Sequence, residues 1–338
     1  MIDLIPSSEQ QEVADSIAAF LSDNLPVERH RKDRGRRGKQ EPEVWQQLAE
    51  LGCFGLSMPE AQGGVGLSLA EEVLAFREYG RYLVSPSILA TVIATRMAAH
   101  AGKSELLSSL LAGRRRASIA QPLGASAPGA FYLIDADNAD LVLTWNPNET
   151  VLFEGSAFKR LEEPESLDPS VTLSRAEVTG TAPLARVAAS DEPLPLVTNL
   201  LLAAMLVGII EAARDMSVSY AQTRIQFGVP IGSFQAIKHK CADVALGAEA
   251  AWSQTVYAAL MLENSAPDAL FQVLNAKMFA SEAALRGARE AIQIHGGMGF
   301  TAELNAHLFL KRTHLLSKLG ESPRELQRKL LELPLASV

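Results

Sequence analysis

The sequence predicts a mostly α-helical protein with a small β domain in its middle. The expected order is an N-terminal helical domain over residues 1–116, a shortened middle β domain over 117–190 and a C-terminal helical bundle over 191–338. Three observations predict it. Apolar residues recur at helical spacing through the first third, short β-type runs flank turn residues in the middle, and long apolar helices with short connections fill the rest. At 338 residues, 48% of them hydrophobic and 21% charged, the chain can bury a large core and suits two or three domains.

Along the first zone, Ser8 and Gln11 have capping-box spacing ahead of the stripe Val13, Ile17, Phe20 and Leu21. A helix after Pro42 carries Val44, Trp45, Leu48 and Leu51 on one face and ends near Gly52 and Gly55. Further helices are expected from Ser68, over 87–100 and over 104–111. In the middle zone, 141–144 and 151–153 flank Asn146-Pro-Asn-Glu149 as strand, turn, strand, and 171–173 is a third strand candidate. The acidic stretch 162–169 reads as a loop. Residues 200–220 are apolar nearly all round, which predicts a helix buried on most sides. Gly228, Pro230 and Gly232 mark a loop before a helix over 233–263. Pro267, read as the first helical residue, opens another that ends at Gly296-Gly297, and a fourth follows Thr301. Ser322-Pro-Arg-Glu325 combines a capping box with a proline at the first helical position and opens the last helix.

Composition excludes several classes. A net charge of −8 and a pI near 5.4 do not suit a general nucleic-acid binder. The longest uncharged apolar run, 200–210, is shorter than the ~18 residues that mark a membrane-spanning helix. The start of the chain lacks a signal-peptide pattern, so a cytoplasmic protein is expected. Cys53 and Cys241 form neither a disulfide framework nor a CxxC pair, and no metal-ligand spacing is present. The basic run 29–39, with seven Lys or Arg and one Asp, reads as a solvated connection.

Two segments carry candidate chemistry. Gly297-Met-Gly299-Phe-Thr-Ala302 matches a dinucleotide fingerprint by letters, but a helix end precedes it where that fingerprint needs a strand. Glycines closing a helix explain it equally well, although small residues there also let a dinucleotide approach the backbone. The segment from Arg224 to Gln235 joins an Arg, a Phe and two Gln on a Gly/Pro-rich loop. It offers a cation for phosphate, a ring for stacking and amides for a base or ribose, but helix-connection chemistry explains the same letters.

Arg224-Ile-Gln-Phe-Gly-Val-Pro-Ile-Gly-Ser-Phe-Gln235 and Gln293-Ile-His-Gly-Gly-Met-Gly-Phe-Thr301 resemble the two C-terminal signatures of the acyl-CoA dehydrogenase family. Leu51-Gly52, Gly55-Leu56, Met58-Pro-Glu60 and 63–69 agree with its N-terminal zone. The resemblance covers about 45–120 and 193–330 and implies N-terminal helices, a middle β-barrel, here reduced, and a C-terminal four-helix bundle. It also implies an oligomer with FAD between subunits. Arg224, Phe227 and Gln235, with Gln293, Gly296 and Gly297 beside them, would hold the pyrophosphate and adenosine portion.

The family removes two hydrogens across Cα–Cβ of an acyl-CoA thioester and passes electrons to an electron-transfer acceptor. Its base is often a Glu before the last helix, in a pattern like Y-E-G-T-S-E-I-Q. Aligning Glu325-Leu-Gln327 on the end of that pattern puts Glu321 at the base position, with Gly320 in place of the aromatic and Ser322-Pro323 in place of Gly-Thr. An acid favouring a helix N-terminus is the alternative for Glu321. A second family position for the base, near Thr198-Asn199, offers no carboxylate. The family's T-E-P-x-A-G-S-D stretch is at best Ala120-Gln121-Pro122-Leu123-Gly124 here, and its W-I-T-N stretch has no counterpart. The chain is therefore similar to the shorter, non-catalytic subunit of heteromeric enzymes that act on steroid side-chain CoA thioesters. Its expected partner is a homologous subunit. A self-sufficient dehydrogenase and a cofactor-free scaffold are the alternatives.

Overall fold

The computed structural model describes residues 4–32, 42–124 and 127–333. Six helices come first: α1 (Ser8–Asn24), α2 (Arg29–Lys32), α3 (Pro42–Glu50), α4 (Leu69–Arg81), α5 (Ser87–His100) and α6 (Ser104–Leu111). The capping box of α1 falls one residue earlier than the spacing suggested. Gln10 N–H donates to Ser7 Oγ at 3.2 Å and Ser7 N–H to Gln10 Oε1 at 3.0 Å. Ser-Ser and Gln-Gln doublets make both registers possible by letters, and only the backbone decides between them. The basic run begins in α2, and its part over 33–39 lies outside the described residues.

Seven strands follow: β1 (Ala117–Pro122), β2 (Ala130–Ile134), β3 (Leu141–Asn146), β4 (Glu149–Glu154), β5 (Phe158–Glu162), β6 (Leu173–Val178) and β7 (Ala185–Ala188). They pair in the order β5-β6-β2-β1-β3-β4-β7, with β1 and β3 parallel and the other pairs antiparallel. The β3–β4 hairpin turns where Asn146-Pro-Asn predicted, and Asn146 Oδ1 accepts from the Asn148 N–H at 2.9 Å. Val171 and Thr172 precede the third expected strand, which starts at Leu173. Phe158 fills one face of the sheet, with the Phe131 and Phe153 rings edge-on to it at 5.4 and 5.5 Å.

The remainder is α7 (Leu194–Thr223), a two-residue-strand hairpin β8 (Ile225–Gln226) and β9 (Val229–Pro230), α8 (Gln235–Glu263), α9 (Ala269–His295), α10 (Ala306–Leu316) and α11 (Pro323–Glu332). Asp268 is the N-cap of α9, so Pro267 stands outside the helix rather than at its first position. Helix α7 is long and apolar enough to cross a membrane, because Thr198 and Asn199 extend the uncharged stretch beyond 200–210 without adding charge. In the folded chain 89% of its most apolar window is buried, so its apolarity serves the protein core.

The chain divides into two compact units. One gathers Met1–Lys32, Val73–Leu83 and Asn199–Val338, and the other Asp33–Glu72 and Val84–Thr198. In the first, α9 packs along α8 and receives α10 and α11. In the second, the buried Glu72 carboxylate accepts from Ser57 Oγ at 2.7 Å and from Arg96 at 2.5 Å, which satisfies a charge that would otherwise be costly there.

Candidate functional site

Helix α7 ends at Thr223, and the chain reverses at once. The pairs Ile225↔Pro230 and Gln226↔Val229 leave Phe227 and Gly228 as the turn, with φ of +52° and +82°. Two positive φ values define the turn that suits a tight hairpin, and Gly228 adopts one at no steric cost. Phe227 is a bulky residue in a region that favours Asn, Asp or Gly. It is also 93% exposed, with an edge contact to Phe234 at 6.1 Å between ring centres. An apolar ring held in water on a strained turn contributes little to the fold of this chain.

Arg224 stands at the root of the hairpin, where its carbonyl accepts from the Ile231 N–H at 2.8 Å, and its side chain is exposed. Gln235 is the first residue of α8 and is also exposed. Phe234, the N-cap of α8, supplies no capping side chain, so the helix start presents backbone donors to an anion.

Helix α9 ends in Gln293, which faces solvent, and in Gly296 at φ +59°, ψ −138°, a conformation close to glycine-only. A Cβ on Gly296 or Gly297 would meet nothing within 4 Å, so the backbone there is open to close approach. Gly299 differs: a Cβ would stand 2.5 Å from the Ile292 carbonyl, which makes this glycine a packing requirement. No strand precedes the Gly297–Ala302 letters, so the dinucleotide fingerprint is absent as a structure.

The two signatures come together at their roots. Ile231, Ala221 and Ile294 form one buried cluster, with Tyr220, Ile237 and Cys241 packed against it. The buried His295 ring stacks on Tyr220 at 4.3 Å, and its Nδ1 lies 2.6 Å from the Ala291 carbonyl. Burial lowers the His295 pKa and so favours the neutral imidazole. Arg224, Phe227, Gln235, Gln293, Gly296 and Gly297 thus rise from a common apolar base.

Glu321 lies elsewhere, in the turn between α10 and α11. Its carboxylate pairs with Lys329 on α11, and its carbonyl accepts from Lys277 Nζ at 3.1 Å. Along α9, Lys277 and Gln293 are about 24 Å apart at 1.5 Å per residue, so Glu321 does not share the surface of the two signatures. Lys277 is fully buried and donates also to the Leu319 carbonyl. Burial pushes its pKa down to about 7 against the opposing pull of Glu321 and Glu325. The sequence reading passed over Lys277. Its signal is a single charge on the apolar stripe Val273, Leu274, Ala276, Ala280 and Ala284.

One consequence is measurable. The unfolded chain holds the Lys277 proton more tightly than the folded one, so stability from this group falls as pH drops from 10.5 towards 7 and levels off below. Urea unfolding should show that slope, and Lys277→Met should flatten it; an unchanged slope in the variant would assign it to other groups.

Acyl-CoA dehydrogenase domains match both ends of the chain: the C-terminal domain over residues 197–332 and the N-terminal domain over 7–114. The chain belongs to the acyl-CoA dehydrogenase family, oxidoreductases acting on CH–CH bonds. Among curated relatives, acyl-CoA dehydrogenase IpdE2 of Mycobacterium tuberculosis is 31% identical over 331 residues, covering 97% of this chain and 98% of the relative. Two solved structures share the fold. The ChsE4–ChsE5 complex of Mycobacterium tuberculosis has a TM-score of 0.83 at 22% identity, covering 98% of this chain and 100% of the matched one. The Tcur3481–Tcur3483 steroid ACAD G363A variant has a TM-score of 0.82 at 23% identity, covering 96% of this chain and 98% of the matched one.

Proposed function

We propose that this chain is one subunit of a heteromeric acyl-CoA dehydrogenase that oxidises a steroid-derived acyl-CoA thioester, and that it completes the FAD site of a homologous partner. One observation carries the reading. Phe227, on a strained turn and 93% exposed, stands above a buried base that joins both signature segments, with the Phe234 ring edge-on to it at 6.1 Å. A ring presented in this way suits a cofactor site shared between subunits. The two-chain steroid dehydrogenase and the ChsE4–ChsE5 complex, which share this fold, support a two-subunit arrangement.

The residues present fit an FAD adenosine diphosphate end. Arg224 and the uncapped start of α8 would meet the pyrophosphate charge, and Phe227 would cover an apolar face. Gln235 and Gln293 would supply amides, and Gly296 and Gly297 would let the backbone come close. When bound, FAD supplies the two-electron acceptor for α,β-dehydrogenation, and an external electron-transfer acceptor then takes the electrons. The contribution of this chain is to bind, orient and exclude water at the diphosphate end.

Glu321 favours a second reading, a self-sufficient enzyme, because its backbone is anchored by Lys277 and its carboxylate is held by Lys329. In that reading Glu321 accepts the α-proton. A pure scaffold has no use for an exposed arginine hairpin and an open glycine turn.

Flavin content decides between them. The chain expressed alone should be colourless, and co-expression with a homologous dehydrogenase subunit should yield a yellow complex that bleaches on addition of an acyl-CoA thioester. Near-stoichiometric flavin on the isolated chain, bleached by substrate and lost to turnover in Glu321→Gln, would replace the heteromeric reading with the self-sufficient one.

A further inference from the structure

We propose that Lys277 is the positioning residue for Glu321, holding the 319–322 turn against α9 so that the Glu321 carboxylate keeps one place. Its catalytic meaning rests on the second reading above; the anchoring itself does not.

A lysine at this point is expensive. The side chain is fully buried in an apolar stripe where a leucine or methionine would pack without desolvating a charge. What the ammonium obtains in return is specific: its donors go to two backbone carbonyls, Leu319 and Glu321, on either side of Gly320, which turns the chain at φ +68°. These carbonyls follow the end of α10, where backbone acceptors lack helical partners and an apolar neighbour would leave them unsatisfied.

The same turn is fixed from its other side. Lys329 of α11 pairs with the Glu321 carboxylate, and Leu326 of α11 is fully buried. Glu325 accepts from the Ser322 N–H at 2.8 Å and from its hydroxyl at 2.7 Å. The charged groups acting on Lys277 are therefore Glu321 from the turn and Glu325 from α11. Lys277 holds the backbone of Glu321 and Lys329 holds its side chain, so the position of the carboxylate is not left to solvent. A neutral lysine still has two N–H donors, so loss of its proton near pH 7 would keep the anchor while removing the positive charge behind Glu321.

Two variants of the full-length chain separate these roles. Lys277→Met removes donors and charge, and Lys277→Gln keeps a donor without charge. By hydrogen–deuterium exchange, amides of the 319–322 turn should exchange at least ~10-fold faster in the methionine variant and recover in the glutamine variant, as for a local opening that loses an anchor. The Glu321 carboxyl carbon, followed by 13C NMR and assigned with Glu321→Gln, should shift in the methionine variant because the backbone anchor is gone, and return towards its wild-type position in the glutamine variant. Wild-type exchange in the turn of Lys277→Met, or an unmoved Glu321 carbon signal in that variant, would overturn the proposal. If the methionine variant does not fold, the wild-type chain carries the test: the Glu321 carbon signal must move as Lys277 titrates near pH 7, and its failure to move is equally decisive. Unaltered turnover of a flavin-loaded enzyme carrying Glu321→Gln would remove the base role alone and leave the anchoring to stand on the exchange data.

Discussion

Arg224→Ala in the assembled, co-purified complex is expected to lower flavin affinity by about 10- to 100-fold. The figure follows from losing a charge-assisted hydrogen bond to a phosphate, typically worth about 1.5–3 kcal/mol. The flavin-to-protein absorbance ratio after gel filtration measures it. Arg224→Lys should fall between the two, since a point charge remains but the planar fork is lost. Because the Arg224 side chain is exposed, the melting temperature of the chain itself should hardly change. Phe227→Ala should act in the same direction with little effect on stability, because the ring is 93% exposed and alanine keeps the same Cβ at φ +52°. Flavin content unchanged by Arg224→Ala would remove this hairpin from the cofactor site.

That experiment probes the part of the molecule the sequence displayed most clearly. Arg224, the hairpin glycine and Gln293-x-x-Gly296-Gly297 stand out through the family resemblance, since charge and turn chemistry alone left helix-connection readings open. The long helices were equally legible, since their apolar periodicity is uninterrupted for many turns. Much of the sheet was not. β1 reads Ala-Ser-Ile-Ala and is buried from Ala117 to Ala120, so it lacks the alternation that marks a half-buried strand. β5 is exposed after Phe158 and charged, which looks like loop. Both are strands because of their neighbours in the sheet, and single-segment patterns do not contain neighbours. The turn conformation of Phe227 and the anchoring of Glu321 by Lys277 were hidden for the same reason: each is a relation between places distant in sequence or in backbone angle.

Gly208→Ala is expected to be among the most damaging single-methyl changes in the protein. Within the unit that holds 73–83 and 199–338, α4 crosses α7 with backbone against backbone. A Cβ at Gly208 would stand 1.8 Å from the Arg77 carbonyl oxygen and 2.8 Å from the Arg81 nitrogen, and one at Gly80 only 2.0 Å from the Met205 carbonyl oxygen. No side chain can rotate away from such contacts, so the helices must separate. Separation also breaks the ion pairs on their flank, Arg81 to Asp215 at 2.7 Å and Arg81 to Glu211 at 3.2 Å, beside a Glu78 whose pKa burial already raises. Overpacking typically costs about 1–3 kcal/mol, and backbone displacement puts this site at or above the top of that range. For a unit of this size, roughly 3 kcal/mol lowers the melting temperature by about 6–12 °C. Gly297→Ala is the matched control, since its Cβ enters open space and φ there is not positive. It should melt like the wild type while retaining less flavin in the complex. A Gly208→Ala chain that melts within about 2 °C of the wild type would mean that the helices are not in backbone contact at Gly208.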